Sequence, residues 1–430
     1  MSVLEIEGGV PLSGEMDVRG SKNAVLPMIA ASLLTTDEVV LENIPDIRDV
    51  RTMVRIVSAL GVETDWQVEQ RRLSICAGTV AEHRLPPKAC SEMRASILLL
   101  APLLYRMGCA EMSPPGGDVI GVRGVDTHFY GLEKLGAEIQ MGRTFFLKLH
   151  HALQGNDLFL SEASVTATEQ LLMAACAAEG RTIIRNAACE PHVSDLAVLL
   201  QKMGADIKGV GSNVLEVQGG KQLQGATHRV VSDHTEAGSF LAIAAATGGN
   251  LTVRGIDRPH YWMIRRVFET LGIWIELEGD EARVAQEQQR RVQPTYSGGI
   301  PCIDDGVWPH FPSDLMSMAI LLATQVHGTV LFFEKLYESR MYFVDRLNTM
   351  GANTVVCDPH RVVVCGPSQL YGIELASPDI RAGVALVGAA LCASGISTIR
   401  NVECIDRGYE DIAERLKHLG ARVARHSDQM

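Results

Sequence analysis

The chain has 430 residues, of which 47% are hydrophobic and only 5% aromatic, with a net charge of −12. That length exceeds one core of ordinary size and points to two domains. The negative charge excludes non-specific nucleic-acid binding, and an anionic ligand would need a local cluster of cations.

The first residues, MSVLEIEGG, read as a short strand, Ser2–Ile6, able to pair with either half of the chain. They lack the basic start and apolar run of a secretory signal, and no apolar run reaches the ~18 residues that span a bilayer, so no membrane partner is expected. Ten cysteines without a C-x-x-C pair fit a reduced, cytoplasmic protein better than a disulfide framework or a metal site.

One signature then recurs every 68 to 79 residues: Leu60-Gly61-Val62, Leu135-Gly136-Ala137, Met203-Gly204-Ala205, Leu271-Gly272-Ile273, Met350-Gly351-Ala352 and Leu419-Gly420-Ala421. Such a period marks an internal repeat. Each signature ends an amphipathic helix, as in the stripe Val50, Met53, Val54, Val57, Leu60. The glycine suits the left-handed position that closes a helix. Upstream in each unit is a second helix, apolar nearly all round and therefore buried: Ala24–Leu34, Ser96–Tyr105, Thr168–Ala178, Gly238–Ala246, Leu315–Thr324 and Gly383–Ala393. Strands such as Glu38–Leu41, Thr182–Arg185 and Thr398–Arg400 lie between the two helices. Six units divide as three plus three, with a boundary near Val230-Val231.

Two stretches interrupt the pattern. Ser113 to His128, SPPGGDVIGVRGVDTH, is a glycine-rich loop that carries Asp118 and Arg123, a carboxylate beside an anion clamp. Gln286–Pro312 is polar and ends by delivering Asp314 to the start of an apolar helix, where an acid also suits a capping position.

Seven islands occur in one order: Gly20-Ser21-Lys22-Asn23-Ala24, Met93-Arg94-Ala95-Ser96, Pro115-Gly116-Gly117 through His128, Phe311-Pro312-Ser313-Asp314, Glu338-Ser339-Arg340, Asp379-Ile380-Arg381-Ala382 and Asp406-Arg407-Gly408-Tyr409. In these, and over essentially its whole length, the chain resembles the enolpyruvyl transferases. The resemblance implies an α/β fold, an inside-out α/β barrel of two domains, each of three repeated βαβαββ-like units with buried helices. One domain would be residues 22–230 with the mobile loop 113–128. The other would be residues 1–21 plus 231–430, with the active site in the cleft between them.

The implied reaction moves the enolpyruvyl group of phosphoenolpyruvate to the 3-hydroxyl of UDP-N-acetylglucosamine and releases phosphate, the first committed step of peptidoglycan synthesis, with no metal and no organic cofactor. By resemblance, phosphoenolpyruvate is held by Lys22, Asn23, Arg123, Arg381 and Arg407. Guanidinium forks fit carboxylate and phosphate, and Lys22 and Asn23 directly precede a helix whose start adds its own pull on an anion. The UDP-sugar meets Arg94, Arg123, Gly124, Val125, Asp126, Thr127, Glu162, Ala163, Ser164, Val165, Asp314 and Leu336. Lys22, Asp118, Asp314 and Arg407 are the implied catalytic set, Asp314 as base or as the group that orients the hydroxyl. Asp379 would hold Arg381, and a purely structural part and a direct catalytic one are both open to it.

Asp118 stands where most family members carry a reactive cysteine and a minority carry aspartate. It can protonate C3 of the substrate if burial or a nearby anion keeps it protonated. Fosfomycin alkylates that cysteine, so resistance is expected. Further departures are Arg48 for a common lysine, Thr166 for a usual glycine, and His234 where arginine is usual. They put the acceptor in question, and the Glu162–Thr166 stretch leaves open another nucleotide such as UMP, whereas Asp118 is the one feature that favours a non-catalytic nucleotide-sugar sensor. Oligomeric state has no signature in the sequence.

Overall fold

Helices rich in Ala, Leu and Met on every side have no face to offer water and must be enclosed. Six form in the computed structural model, which describes residues 2–118 and 120–427. They are Lys22–Ala31, Leu100–Met107, Val165–Ala177, His234–Thr247, Ser313–Ala323 and Ile380–Cys392. The second is preceded by a turn of 3₁₀ helix, Arg94–Leu99. All six recurring glycines are left-handed, with φ of +92° at Gly61, +109° at Gly136, +104° at Gly204, +72° at Gly272, +107° at Gly351 and +92° at Gly420. Among the described residues no helix is long and apolar enough to cross a membrane.

The chain forms two units, Gly20–Asp118 with Arg123–Val231, and Met1–Arg19 with Val119–Val122 and Ser232–Met430. Each has its own core and three small sheets.

One plan recurs in the sheets. A short leading strand runs parallel to the strand that follows the buried helix, and two further strands add on antiparallel. In the Gly20–Val231 unit, Thr227–Arg229 leads Glu38–Glu42, which continues to Arg72–Cys76 and Glu63–Gln67. In the next repeat the leading strand shrinks to a bridge between Arg84 and Glu111. The Ser232–Met430 unit follows the same plan with Gly14–Asp17 leading Leu251–Arg254 and Cys302–Asp304 leading Gly328–Phe333. Its last repeat is completed by Ser2–Glu7, which lies between Ile396–Arg400 and Arg422–Ser427, antiparallel to both. The N-terminal strand thus takes the place that a hairpin strand fills in the other repeats.

In this unit the His234–Thr247, Ser313–Ala323 and Ile380–Cys392 helices pack on one another. Gly388 allows the approach, because a Cβ there would lie 2.4 Å from Leu321 Cδ2 and 3.0 Å from Ile243 Cγ1. Both neighbours are fully enclosed and cannot swing aside. Gly388→Ala should therefore overpack this point and destabilise the unit by about 1–3 kcal/mol. Thermal unfolding checks this, and an unchanged midpoint would mean that the helices can separate without cost.

Candidate active site

The sequence places the candidate residues at the N-terminal turns of the buried helices, and the structure shows what holds each there. In the Gly20–Val231 unit, Lys22 is the first residue of its helix, and its Nζ lies 2.9 Å from Asp49 Oδ2. Both side chains are largely enclosed, so the carboxylate fixes the ammonium at the helix start. Asn23 follows, half-buried. Arg48 is exposed, one residue before Asp49.

Arg94 ties down the glycine-rich loop. Its Nη1 donates to the Arg123 carbonyl at 2.7 Å and its Nη2 to the Gly124 carbonyl at 2.5 Å. The loop's other end also depends on this stretch, since a Cβ at Gly116 would lie 1.7 Å from the Ser91 carbonyl oxygen. Gly117 takes φ of +119° against Arg94, which only glycine adopts readily. Asp118 follows, half-buried.

Beyond Val125 the helix Asp126–Lys134 begins. Thr127 Oγ1 lies 3.2 Å from Glu162 Oε1 and 3.3 Å from Ser161 Oγ. Ala163 precedes Ser164, which caps the Val165–Ala177 helix by accepting from the Ala167 N–H. The structure therefore brings Arg94, Arg123, Gly124, Thr127, Glu162 and Ser164 onto connected segments of one unit.

His128 was not singled out from sequence, yet it anchors this region. It is buried, with Nδ1 2.8 Å from Gln170 Oε1 and Nε2 3.0 Å from Thr166 Oγ1. Burial, with Arg94 and Arg123 nearby and Gln170 opposing, lowers its pKa to about 4, so the ring is neutral. Glu169, also fully enclosed, is raised well above the usual carboxyl range by burial and by Glu190.

In the Ser232–Met430 unit, Asp314 is the second residue of its helix, and its side chain does not cap it. Its two oxygens are divided between two guanidinium groups. Arg340 Nη2 donates to Oδ1 at 2.9 Å, and Arg381 Nε donates to Oδ2 at 3.0 Å, with Arg381 Nη2 in ion-pair contact at 2.8 Å. The arginines are almost wholly enclosed, whereas Asp314 keeps 29% of its side chain exposed. Burial works against the charge on Arg381 and is outweighed by Asp314, Tyr409 and Asp233. Arg381 Nη1 also donates to Tyr409 Oη at 3.1 Å.

Asp379 caps the Ile380–Cys392 helix, accepting from the backbone N–H groups of Arg381 and Ala382. Capping was not read from the sequence. It fixes the backbone of Arg381, while Asp314 holds the guanidinium.

Residues 120–122 contact this unit. The Val122 N–H donates to Glu338 Oε1 at 2.8 Å, and the Ser339 N–H donates to the Ile120 carbonyl at 3.1 Å. Leu336 is exposed, and Arg407 closes the Val402–Arg407 turn, half-buried. His234 is buried beside His260 and Trp308, with ring centroids 6.1 and 5.6 Å away. Burial lowers its pKa to about 4, against the pull of Asp233, so it supplies no charge at neutral pH.

Arg340 was missed as a site residue although it lay inside a quoted island, because its partner Asp314 is distant in sequence. The arrangement can hold a polar group at Asp314 while surrounding it with fixed positive charge.

Residues 6–416 match the family described as EPSP synthase (3-phosphoshikimate 1-carboxyvinyltransferase). The chain is 49% identical over 424 residues to the UDP-N-acetylglucosamine 1-carboxyvinyltransferase of Borreliella burgdorferi, covering 99% of each. It is 48% identical over 420 residues to the protein of that name from Bradyrhizobium diazoefficiens, covering 98% of this chain and 97% of the relative. The crystal structure of the enolpyruvyl transferase NikO from Streptomyces tendae shares the fold at a TM-score of 0.88 and 23% identity, over 99% of this chain and 98% of that one. With matches that run through both units, the chain belongs to the EPSP synthase family of enolpyruvyl transferases.

Proposed function

We propose that this protein transfers the enolpyruvyl group of phosphoenolpyruvate to the 3-hydroxyl of UDP-N-acetylglucosamine and releases phosphate. The observation that carries this reading is the 42–49% identity, over 97–99% of the chain, to relatives named for that activity. Lys22, Asn23, Arg123 and Arg407 clamp phosphoenolpyruvate. Arg381 adds its remaining donors, since Nε donates to Asp314 and one Nη1 hydrogen to Tyr409. Arg94, Arg123–Thr127, Glu162–Val165 and Leu336 receive the UDP-sugar.

The acceptor hydroxyl adds its oxygen to C2 and releases its proton to solvent while C3 takes a proton, giving a tetrahedral ketal. Loss of a C3 proton and cleavage of the C2–O bond to phosphate then yields the enol ether. Asp314 orients the acceptor hydroxyl. Both of its oxygens already accept from guanidinium, which suits holding the hydroxyl better than removing its proton. Asp118 delivers the proton to C3.

Purified protein should release phosphate only when both substrates are present, with the enolpyruvyl group added to the sugar nucleotide by mass. Release with UMP and not with the UDP-sugar would move the acceptor. Tight nucleotide-sugar binding with no release from any acceptor would favour a sensor. Asp118→Asn should lower kcat by roughly 10²–10⁴-fold while both substrates still bind; undiminished turnover would remove Asp118 from the reaction. The wild-type enzyme should withstand fosfomycin, and Asp118→Cys should become sensitive to it, which time-dependent inactivation would read directly.

A further inference from the structure

Next to Asp314 lies a buried acidic pair that the proposed reaction does not use. Glu334 and Asp305 are both 0% exposed. They follow two strands that pair in parallel, Cys302–Asp304 and Gly328–Phe333, and their side chains reach each other. Ser313, the residue before Asp314, places its Oγ 2.8 and 2.9 Å from the two Glu334 oxygens. The Tyr337 N–H donates to Oε1 at 3.1 Å. Asp305 Oδ1 accepts from the Lys335 N–H at 2.5 Å, but no donor among the described residues reaches its buried Oδ2. Ionised carboxylates only accept, so two enclosed carboxyls in contact are satisfied only when one carries a proton and donates it to the other.

We propose that Glu334 and Asp305 share one proton and that this pair positions Arg340, and through it Asp314. Arg340 has Asp314, Glu334 and Asp379 around it, with its guanidinium 5.3 Å from the Tyr337 ring centroid. While the pair holds its proton, Asp314 is the anion to which Arg340 is bonded. Loss of the proton creates a second buried anion that competes for the same guanidinium.

Burial, aided by Asp305 and opposed by Arg340 and Ser313, pushes the Glu334 carboxyl up to about 8. The proton is therefore kept at neutral pH and lost as pH rises through that value. The other charged or titratable groups here are accounted for. Lys335 pairs with Asp304, His310 also faces Asp304, and His360 Nδ1 contacts the Glu334 carbonyl oxygen at 2.7 Å. Glu334 and Asp305 are thus positioning residues, not catalytic ones, and the inference rests on the transfer reaction proposed above.

The test is phosphate release at saturating substrates between about pH 6 and 10, beside infrared spectra of the same proteins. Wild-type kcat should fall roughly tenfold from about pH 7 to 9, as one ionisation near 8 requires, with little change in KM. Glu334→Gln, whose amide donates to Asp305 and has no proton to lose, should show no such limb. Asp305→Asn, whose amide donates to Glu334 and which removes the share of the upward shift due to Asp305, should move the limb to lower pH. The difference spectrum of wild type minus Glu334→Gln should carry a protonated-carboxyl band that disappears across the same pH range, the enclosed Glu169 carboxyl cancelling because both proteins have it. A wild type that releases no phosphate would sink the transfer reading, and the band would still report the shared proton. An active wild type without the band, or with an alkaline limb unchanged in Glu334→Gln, would overturn this proposal.

Discussion

A helix enclosed on every side can carry charge only at its ends, because a charged residue along its length would have to be desolvated. Six helices of this chain obey that constraint, and it decides where chemistry can sit. Lys22 opens the first, Arg94 the 3₁₀ turn that leads into the second, and Ser164 caps the third. Asp233 caps the fourth, Asp314 lies in the first turn of the fifth, and Asp379 and Arg381 begin the sixth. The candidate residues recur at the same end of each repeat because that end has unpaired backbone N–H groups and room for polar side chains.

Burial at those ends still has to be compensated. An enclosed guanidinium without a partner costs several kcal/mol, and breaking a buried pair from one side costs about 3–5 kcal/mol. Arg340 and Arg381 meet the requirement by dividing the oxygens of Asp314. Asp379 fixes the backbone from which Arg381 projects, and Tyr409 receives a further N–H. Tyr409 in turn meets Ser239 Oγ at 2.8 Å, linking the fourth and sixth helices of the chain to the same cluster. Each member is held by at least one other, so Asp314 keeps its place without being buried itself.

How much of this was legible in the sequence follows the range of the interaction. Helix periodicity and closing glycines are local, and all six helices and all six left-handed glycines lie where the pattern puts them. The N-terminal strand was legible as a strand, but its place between Ile396–Arg400 and Arg422–Ser427 depends on pairings across almost the whole chain. The same applies to the site. Asp314 and Arg381 stood out by motif, yet their contact joins residues 67 apart, and nothing local ties Glu334 to Asp305 or to Ser313. The Arg94 contacts to the loop carbonyls were equally hidden, because backbone acceptors leave no trace in side-chain identity.

The departures from the family pattern are informative when set against their local partners. Gln170 Nε2 donates to the Ile97 carbonyl at 2.6 Å, which turns its Oε1 toward His128. His128 Nδ1 is then the donor, and Nε2 is left with a buried lone pair that needs a donor of its own. The hydroxyl of Thr166, 3.0 Å away, supplies it. A glycine at that position would have no side chain to do so, and the unmet nitrogen would carry the desolvation cost of a buried acceptor, about 1–3 kcal/mol. Thr166 is therefore explained by the histidine it satisfies. A change of acceptor is not needed to account for it.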